Sequence, residues 1–309
     1  PVTKNPLDIY SQLDFLSPLI LNQNYWAFRS RYAVMVRRNF GARSTQLVVG
    51  FQRIPELNTI IEQHSYRVLK EDCLDLPDKV YQRRFVSLTP EQIKAYEEMR
   101  RFNLTEVEGR TMTSLSTLTA LIRLHQISCG HISFDDGETQ ALKNNRMKEL
   151  LDILDETEGK VIIWASYRFD LRHITDALKE KFGENSCASY FGDTKDKDRQ
   201  DIVEKFQDKN SELKYFVGNP STGGYGLTLH AAHTVIYYSN TYDLEKRIQS
   251  EDRVHRIGQT NKVTYIDLIS EGTVDEKIVQ SLRSKIDIAT EVMGEQVKQW
   301  VIEPIRKRK

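Results

Sequence analysis

At 309 residues, with 44 lysines and arginines balanced by 44 aspartates and glutamates, the chain is long enough for about two domains and carries no net charge, so any polyanion must be met by a local basic surface. Its three cysteines, Cys73, Cys129 and Cys187, are widely spaced and never form a CxxC pair, which argues against a disulfide framework or a thiolate zinc site; no apolar run approaches a membrane span and no signal peptide is expected. The expected setting is the cytoplasm, or the nucleus if the source is eukaryotic, with no membrane partner, and the opening at Pro1 rather than methionine reads as an excised or processed piece.

Residues 1–75 carry amphipathic, aromatic stretches of helical character, DIYSQLDFLSPLI and YWAFRSRYAVMVRRNF, with a short extended interruption at TQLVVGF. After LPDK (Leu76 to Lys79), VYQRRFVSL alternates and is β-branched, so residues 76–88 are predicted to hold a strand. TPEQ (Thr89 to Gln92) is a helix start, with a Thr cap, a first-turn proline and acid just inside. Residues 89–143 are predicted to form a helical protrusion broken only by a polar loop near Thr105 to Thr113 and a turn around Asp135 to Gly137. Its stripe Tyr96, Met99, Leu115, Leu118, Leu121, Ile122 and Leu124 is predicted to be internal packing. His125, Cys129 and His131 cluster, but without a second ligand pair they read as a packed helix end, and no metal site is expected.

From 144 to 285 strands and helices alternate. KVIIWAS, CASYFG, KYFVGN, TVIYYSN and KVTYIDLIS are strands between helices of ten to fifteen residues, and residues 286–309 are a closing helix and basic tail. Such alternation specifies an α/β fold, a parallel sheet covered on both faces, whose ligands gather at the carboxyl ends of the strands. Asn219 to Ala232, NPSTGGYGLTLHAA, follows a strand, and Gly223, Gly224 and Gly226 permit close backbone approach to an anion while Ser221 and Thr222 add hydroxyls; a tight connection without a ligand would use the same glycines. Tyr190 to Gln200 offers a weaker version with Gly192, Thr194 and Arg199.

QSEDRVHRIGQ, Gln249 to Gln259, is the most informative run. On a helix Gln249, Arg253 and Arg256 fall at i, i+4 and i+7, so one face would present an amide and two guanidiniums, groups suited to the oxygens of a transferring phosphoryl group. A solvated face pairing Glu251 and Asp252 with the arginines is the alternative. Nowhere does GxxxxGK precede Ser or Thr, and neither Asp-Glu pair, Asp155-Glu156 nor Asp275-Glu276, ends an apolar strand. Arginines suited to phosphoryl transfer are present without a nucleotide cradle.

Taken in order, LPDK with SLTPEQ, LIRLHQISCGH, GGYGLTLHAAHTVIYY, QSEDRVHRIGQ and TVDEKI resemble the Swi/Snf-type DNA translocases of helicase superfamily two, over essentially the whole chain. HRIGQ, rather than the HRxGR of superfamily-two RNA helicases, is specific for this branch, and EDRVHRIGQT is similar to annealing-helicase-like, phage and bacterial members. The resemblance implies a RecA-like second motor lobe (144–285) with an inserted helical protrusion (89–143), and an N-terminal helical segment (1–75) that is the tail of a first lobe cut away upstream. It implies Arg253 and Arg256 as arginine fingers and Gln249 as the coupling residue. Gly223, Gly224 and Gly226 would lie near nucleotide and DNA phosphate, and Ser166 and Tyr167 would sit at a DNA-facing strand end. Departures are Asn219-Pro220-Ser221 at the opening of the glycine motif, Thr228 in place of its asparagine, and Asn240 to Tyr242 in place of Trp-Asn-Pro.

The implied function is the second motor lobe of an ATP-dependent double-stranded DNA translocase. ATP and Mg2+ would be held mainly by the first lobe, so neither is expected on this chain alone; the partners implied are duplex DNA and that lobe. The alternatives are a non-motor DNA- or protein-docking module and an RNA helicase lobe. Oligomeric state is not encoded in any of these motifs.

Overall fold

A computed structural model describes residues 5–40, 43–66, 73–107, 110–114, 116–222 and 226–293; Gly223, Gly224 and Leu115 lie outside the described residues. The chain divides into two compact units, residues 1–73 with 281–309, and residues 74–280.

The first unit packs helices α1 (Ile9–Leu16), α2 (Pro18–Leu21), α3 (Tyr25–Tyr32) and α4 (Ile54–His64) around Leu13, Leu21, Phe28, Tyr32, Leu57 and Ile61. Asn24 caps α3 through the Ala27 N–H. One expectation is corrected here. YWAFRSRYAVMVRRNF is not one helix: α3 stops at Tyr32 and the chain continues as strand β1 (Ala33–Phe40), antiparallel to β2 (Arg43–Phe51). The β-branched Val34 and Val36 favour the extended form, and TQLVVGF, the extended interruption, supplies the partner strand whose ladder decides the outcome.

The second unit is built on a six-stranded, wholly parallel sheet in the order β3 (Lys79–Val86), β12 (Val263–Ser270), β11 (Ala232–Tyr237), β8 (Lys160–Trp164), β10 (Tyr215–Gly218), β9 (Cys187–Tyr190). Along β8, Val161 and Ile163 enter a core with Leu150, Ile153 and Leu154 of α7 (Asn145–Glu156) and Leu171, Ile174 and Leu178 of α8 (Arg168–Phe182). Ile162 and Trp164 enter the opposite core, with Phe206 of α9 (Asp196–Gln207). Helices on both sides explain why these strands read as unbroken apolar runs. This is the α/β, RecA-like parallel sheet that the motifs implied.

Residues 89–143 depart from the helical expectation. Helices α5 (Pro90–Phe102, with a Thr89–Gln92 capping box) and α6 (Thr117–Cys129) form, but the polar loop is a hairpin, β4 (Leu104–Val107) with β5 (Arg110–Thr113), and the Asp135–Gly137 turn joins a second one, β6 (His131–Ser133) with β7 (Thr139–Ala141). Asn103 in the left-handed region ends α5 and sends the chain into a pair of short, threonine-rich strands. The apolar stripe is also only partly internal. Tyr96, Met99 and Leu124 are buried and Leu121 is half-buried, whereas Leu118 and Ile122 are 70% and 43% exposed. Helices α10 (Leu244–Glu251) and α11 (Val274–Met293) are the remaining helices of the described residues, and no helix among these residues is long and apolar enough to cross a membrane.

Candidate phosphate-facing site

The run Gln249 to Gln259 does not form one helix face. Helix α10 ends at Glu251, and Arg253 and Arg256 lie on the irregular turn beyond it. Two forces end the helix. Val254 is drawn to zero exposure in the sheet core, and the Arg253 carbonyl accepts from the Leu229 N–H (2.9 Å) instead of from a later turn of helix. Backbone bonds from the Val254 and His255 N–H groups to the Glu251 carbonyl, 3.1 and 3.0 Å, tighten the chain, and Gly258 at φ +100° closes the turn, where any side chain would be strained.

Most members of the run have structural work. Ser250 hydrogen-bonds the Tyr237 hydroxyl at 2.7 Å, and Glu251 is a buried hub that accepts from Lys79 Nζ (3.0 Å), Tyr81 Oη (2.8 Å) and Arg247 Nε (2.9 Å). His255 Nε2 is 2.8 Å from the Pro77 carbonyl, tying the turn to LPDK. Gln259, nearly buried, donates to the His230 and Ala232 carbonyls at 3.1 and 2.8 Å, a use its amide can serve. Gln249 donates to Glu245 Oε1 at 3.0 Å on the exposed side of α10.

Arg253 and Arg256 are left partly exposed, side by side. Burial lowers the Arg253 pKa and the like charge of Arg256 lowers it further, so the pair raises the cost of its own charging in a way that a bound anion would relieve. Arg256 Nη1 donates to Thr228 Oγ1 at 2.9 Å and to the Leu227 carbonyl at 3.3 Å, which docks the turn on the loop that runs from Gly226. Thr228, a departure from the family motif, is therefore the side chain that holds Arg256. Gly226, at φ +65°, has open space where a Cβ would stand.

A hydrogen-bonded cluster stands at the carboxyl ends of β8, β10 and β11, where the strand order changes direction. Asn219 Nδ2 donates to the Ser166 carbonyl (3.0 Å), Ser166 N–H donates to Ser239 Oγ (2.8 Å), and Asn219 Oδ1 accepts from the Ser221 N–H (2.8 Å). The Thr222 N–H bonds the Asn219 carbonyl at 3.0 Å, and Ser221 is exposed. Tyr167 directs its hydroxyl to His125 Nδ1, 2.9 Å away, and its burial pushes the phenol pKa up. Thr194 is spent on its own loop, donating to the Ser189 carbonyl at 3.1 Å, and Arg199 Nε donates to the Thr194 carbonyl at 3.1 Å. A Cβ on Gly192 would stand 3.4 Å from the Arg168 guanidinium. Ser166, Ser221 and Thr222 are thus linked through Asn219 at the strand ends, while Arg256 docks on Thr228.

Sequence reasoning missed the buried arginines. Arg247 donates to Asp267 (2.5 Å) and Asn240 (2.6 Å) and lies 3.5 Å over the Tyr237 ring, which gives the divergent Asn240 an internal role. Arg146 pairs with Asp275 and donates to Ser270 Oγ at 2.8 Å; burial alone would lower its pKa, but its surroundings, Asp275 first and then Cys129 and Tyr238, together raise it. His125 and His131 belong to the same region, His131 Nδ1 lying 2.7 Å from Asp170. No group of three or more His, Cys, Asp or Glu among the described residues is placed to hold a metal. Arg146 and Asp275 could have been suspected only as a basic and an acidic residue each inside an amphipathic helix's apolar stripe.

Known proteins resemble the chain along most of its length. The SNF2-related domain matches residues 1–132 and the helicase conserved C-terminal domain matches residues 142–258, a span that ends on the arginine turn. The chain is 26% identical over 313 residues to the SWI/SNF chromatin-remodeling complex subunit snf22 of Schizosaccharomyces pombe, covering 95% of this chain and 18% of that protein. It is 28% identical over 317 residues to the putative ATP-dependent helicase/translocase YwqA of Bacillus subtilis, covering 98% of this chain and 32% of that protein. The chain therefore spans less than a third of the length of these relatives. Its fold is that of the C-terminal part of the Fun30 ATPase domain (TM-score 0.51, 20% identity, 67% of this chain and 90% of that one). The two domain matches, laid end to end over a parallel RecA-like sheet, make the chain a member of the Swi/Snf-type, SNF2-related family of helicase-like proteins.

Proposed function

We propose that this chain is the second motor lobe of an ATP-dependent double-stranded DNA translocase, and that Arg253 and Arg256 are its arginine fingers. The observation that carries the reading is the pair of partly exposed guanidiniums held together on a turn docked to the glycine loop at Thr228. A planar fork of donors matches phosphoryl oxygens, and placing two such forks together stabilises charge that grows on them during transfer. ATP and Mg2+ would sit mainly on the first lobe. Arg253 and Arg256 would meet the nucleotide from across the cleft on closure and leave it on opening, while Ser166, Ser221 and Thr222 hold the DNA backbone. Gly223, Gly224 and Gly226 would line the approach of phosphate, and Gln249 would couple the two sites.

In the full-length protein, first lobe included, Arg256→Ala is expected to leave ATP and DNA binding largely intact while cutting turnover about 10³-fold or more, and Arg253→Ala to do likewise. Lysine at either position is expected to rescue poorly, because it keeps charge without the fork. A second reading rests on the Arg256 bonds to Thr228 and Leu227: the turn is a brace, or a phosphate-backbone clamp of a non-motor docking module. Near-normal hydrolysis with weakened DNA binding in both alanine variants would establish that reading and remove the fingers.

A further inference from the structure

One short segment of chain, Leu227 to Ala232, grips the arginine turn. The Leu229 N–H donates to the Arg253 carbonyl at 2.9 Å, and Gln259 Nε2 donates to the His230 and Ala232 carbonyls at 3.1 and 2.8 Å. These bonds tie the turn at both ends, and fully buried Val254 anchors it in the sheet core. Holding the backbone does not aim a side chain as long as arginine, which keeps its own rotamer freedom. Arg256 has a further hold: its Nη1 donates to Thr228 Oγ1 at 2.9 Å and to the Leu227 carbonyl at 3.3 Å.

Both of these bonds fall on the same nitrogen. Nε and Nη2 of Arg256 make no hydrogen bond among the described residues. A guanidinium is planar, with five donors in a fixed fork, so acceptors on Nη1 set the plane of the group and with it the direction of the edge formed by Nε and Nη2. The hydroxyl is the nearer acceptor, and it is itself well fixed. Thr228 stands between the buried Leu227 and Leu229, and its β-branched side chain has few χ1 rotamers to choose from. A donor aimed in advance spares the transition state a reorganisation and adds little to ground-state binding, so losing the aim lowers turnover rather than affinity.

We propose that Thr228 is a positioning residue for phosphoryl transfer: its hydroxyl sets the plane of Arg256 so that the Nε–Nη2 edge meets the transferring group already aimed. The inference rests on the arginine-finger reading above and adds the residue that orders the finger. It is tested by DNA-stimulated ATP hydrolysis in the full-length protein, first lobe included, with kcat and KM for ATP measured separately. Thr228→Val keeps the shape and removes the acceptor. It is expected to cut kcat about 10- to 100-fold, the worth of one hydrogen bond to a charged group, with KM within about twofold of the parent. Thr228→Ser, which restores the hydroxyl, is expected to recover most of the loss. In an Arg256→Ala background the valine change is expected to do nothing further, because residues that act through one another are not additive. Melting is followed for every variant; should valine lower it, Thr228→Ala removes the same acceptor and is put through the same double-mutant comparison. A kcat equal to the parent's, or above it, in the valine variant overturns the positioning role and leaves the finger standing. An equal further fall in the Arg256→Ala background shows that Thr228 acts through another group and overturns the role as well. Near-normal hydrolysis by Arg256→Ala itself removes the finger, and the positioning role with it.

Discussion

Glu251 shows how one carboxylate can hold the arginine turn in place. It is buried, which by itself would raise its pKa, yet Lys79 and Arg247 outweigh that cost and bring it from 4.5 down to about 2. A carboxylate depressed in the folded state contributes stability above its unfolded pKa and loses it as pH falls towards the folded one. The displacement corresponds to about 3 kcal/mol, present in full above about pH 4.5 and lost between there and about pH 2. Glu251→Gln keeps the shape but takes a carboxylate from half-buried Lys79 and from buried Arg247, which retains Asp267, so it is expected to destabilise the protein at neutral pH by about 1.5–3 kcal/mol and to shorten the acid limb of the stability profile. Urea unfolding at several pH values reads both. If the glutamine variant loses stability on acidification as steeply as the parent, the hub is not what binds the turn to β3.

At the scale of elements, α5 and α11 meet through one buried bond: the Val274 N–H donates to the Tyr96 hydroxyl at 2.9 Å, across 178 positions of sequence. Tyr96→Phe leaves that N–H buried without its acceptor and is expected to cost about 1–3 kcal/mol, with faster amide exchange at the start of α11. A phenylalanine variant that melts with the parent and exchanges at the same rate would show that water replaces the hydroxyl. The same bond shows what was legible in the sequence. The sheet could be read because Val161 to Trp164 and their counterparts are buried on both faces and so leave continuous apolar runs. Hairpins β4–β5 and β6–β7 could not, because strands of three or four residues carry too little alternation to register against helical surroundings. Arg253 and Arg256 were legible as a pair but not as a turn, since the helix end is set by where Val254 is buried and by the Leu229 N–H, neither of which is local. Arg146 and Asp275 stand 129 positions apart, so their pairing exists only in the fold.

For the molecule as a whole, the decisive property is what its carboxylates are used for. Among the described residues, the buried ones are Asp170, Glu251, Asp267 and Asp275. Each faces a basic side chain: His131, Lys79 with Arg247, Arg247, and Arg146 respectively. A carboxylate neutralised by a guanidinium in the interior is a poor ligand for a hard divalent cation, which would have to displace that partner. The sequence also lacks any GxxxxGK run ahead of Ser or Thr to cradle the β- and γ-phosphates. The second-lobe reading therefore requires that the pure 309-residue chain, given ATP, magnesium and duplex DNA, release phosphate no faster than background. Its binding to duplex DNA is expected to weaken steeply with salt and to vary little with sequence, as contact with the backbone dictates. DNA-stimulated turnover on the order of 1–10 per second, in the ordinary range for an enzyme, would mean that this chain contains a complete catalytic site, and the division of labour between two lobes would have to be abandoned.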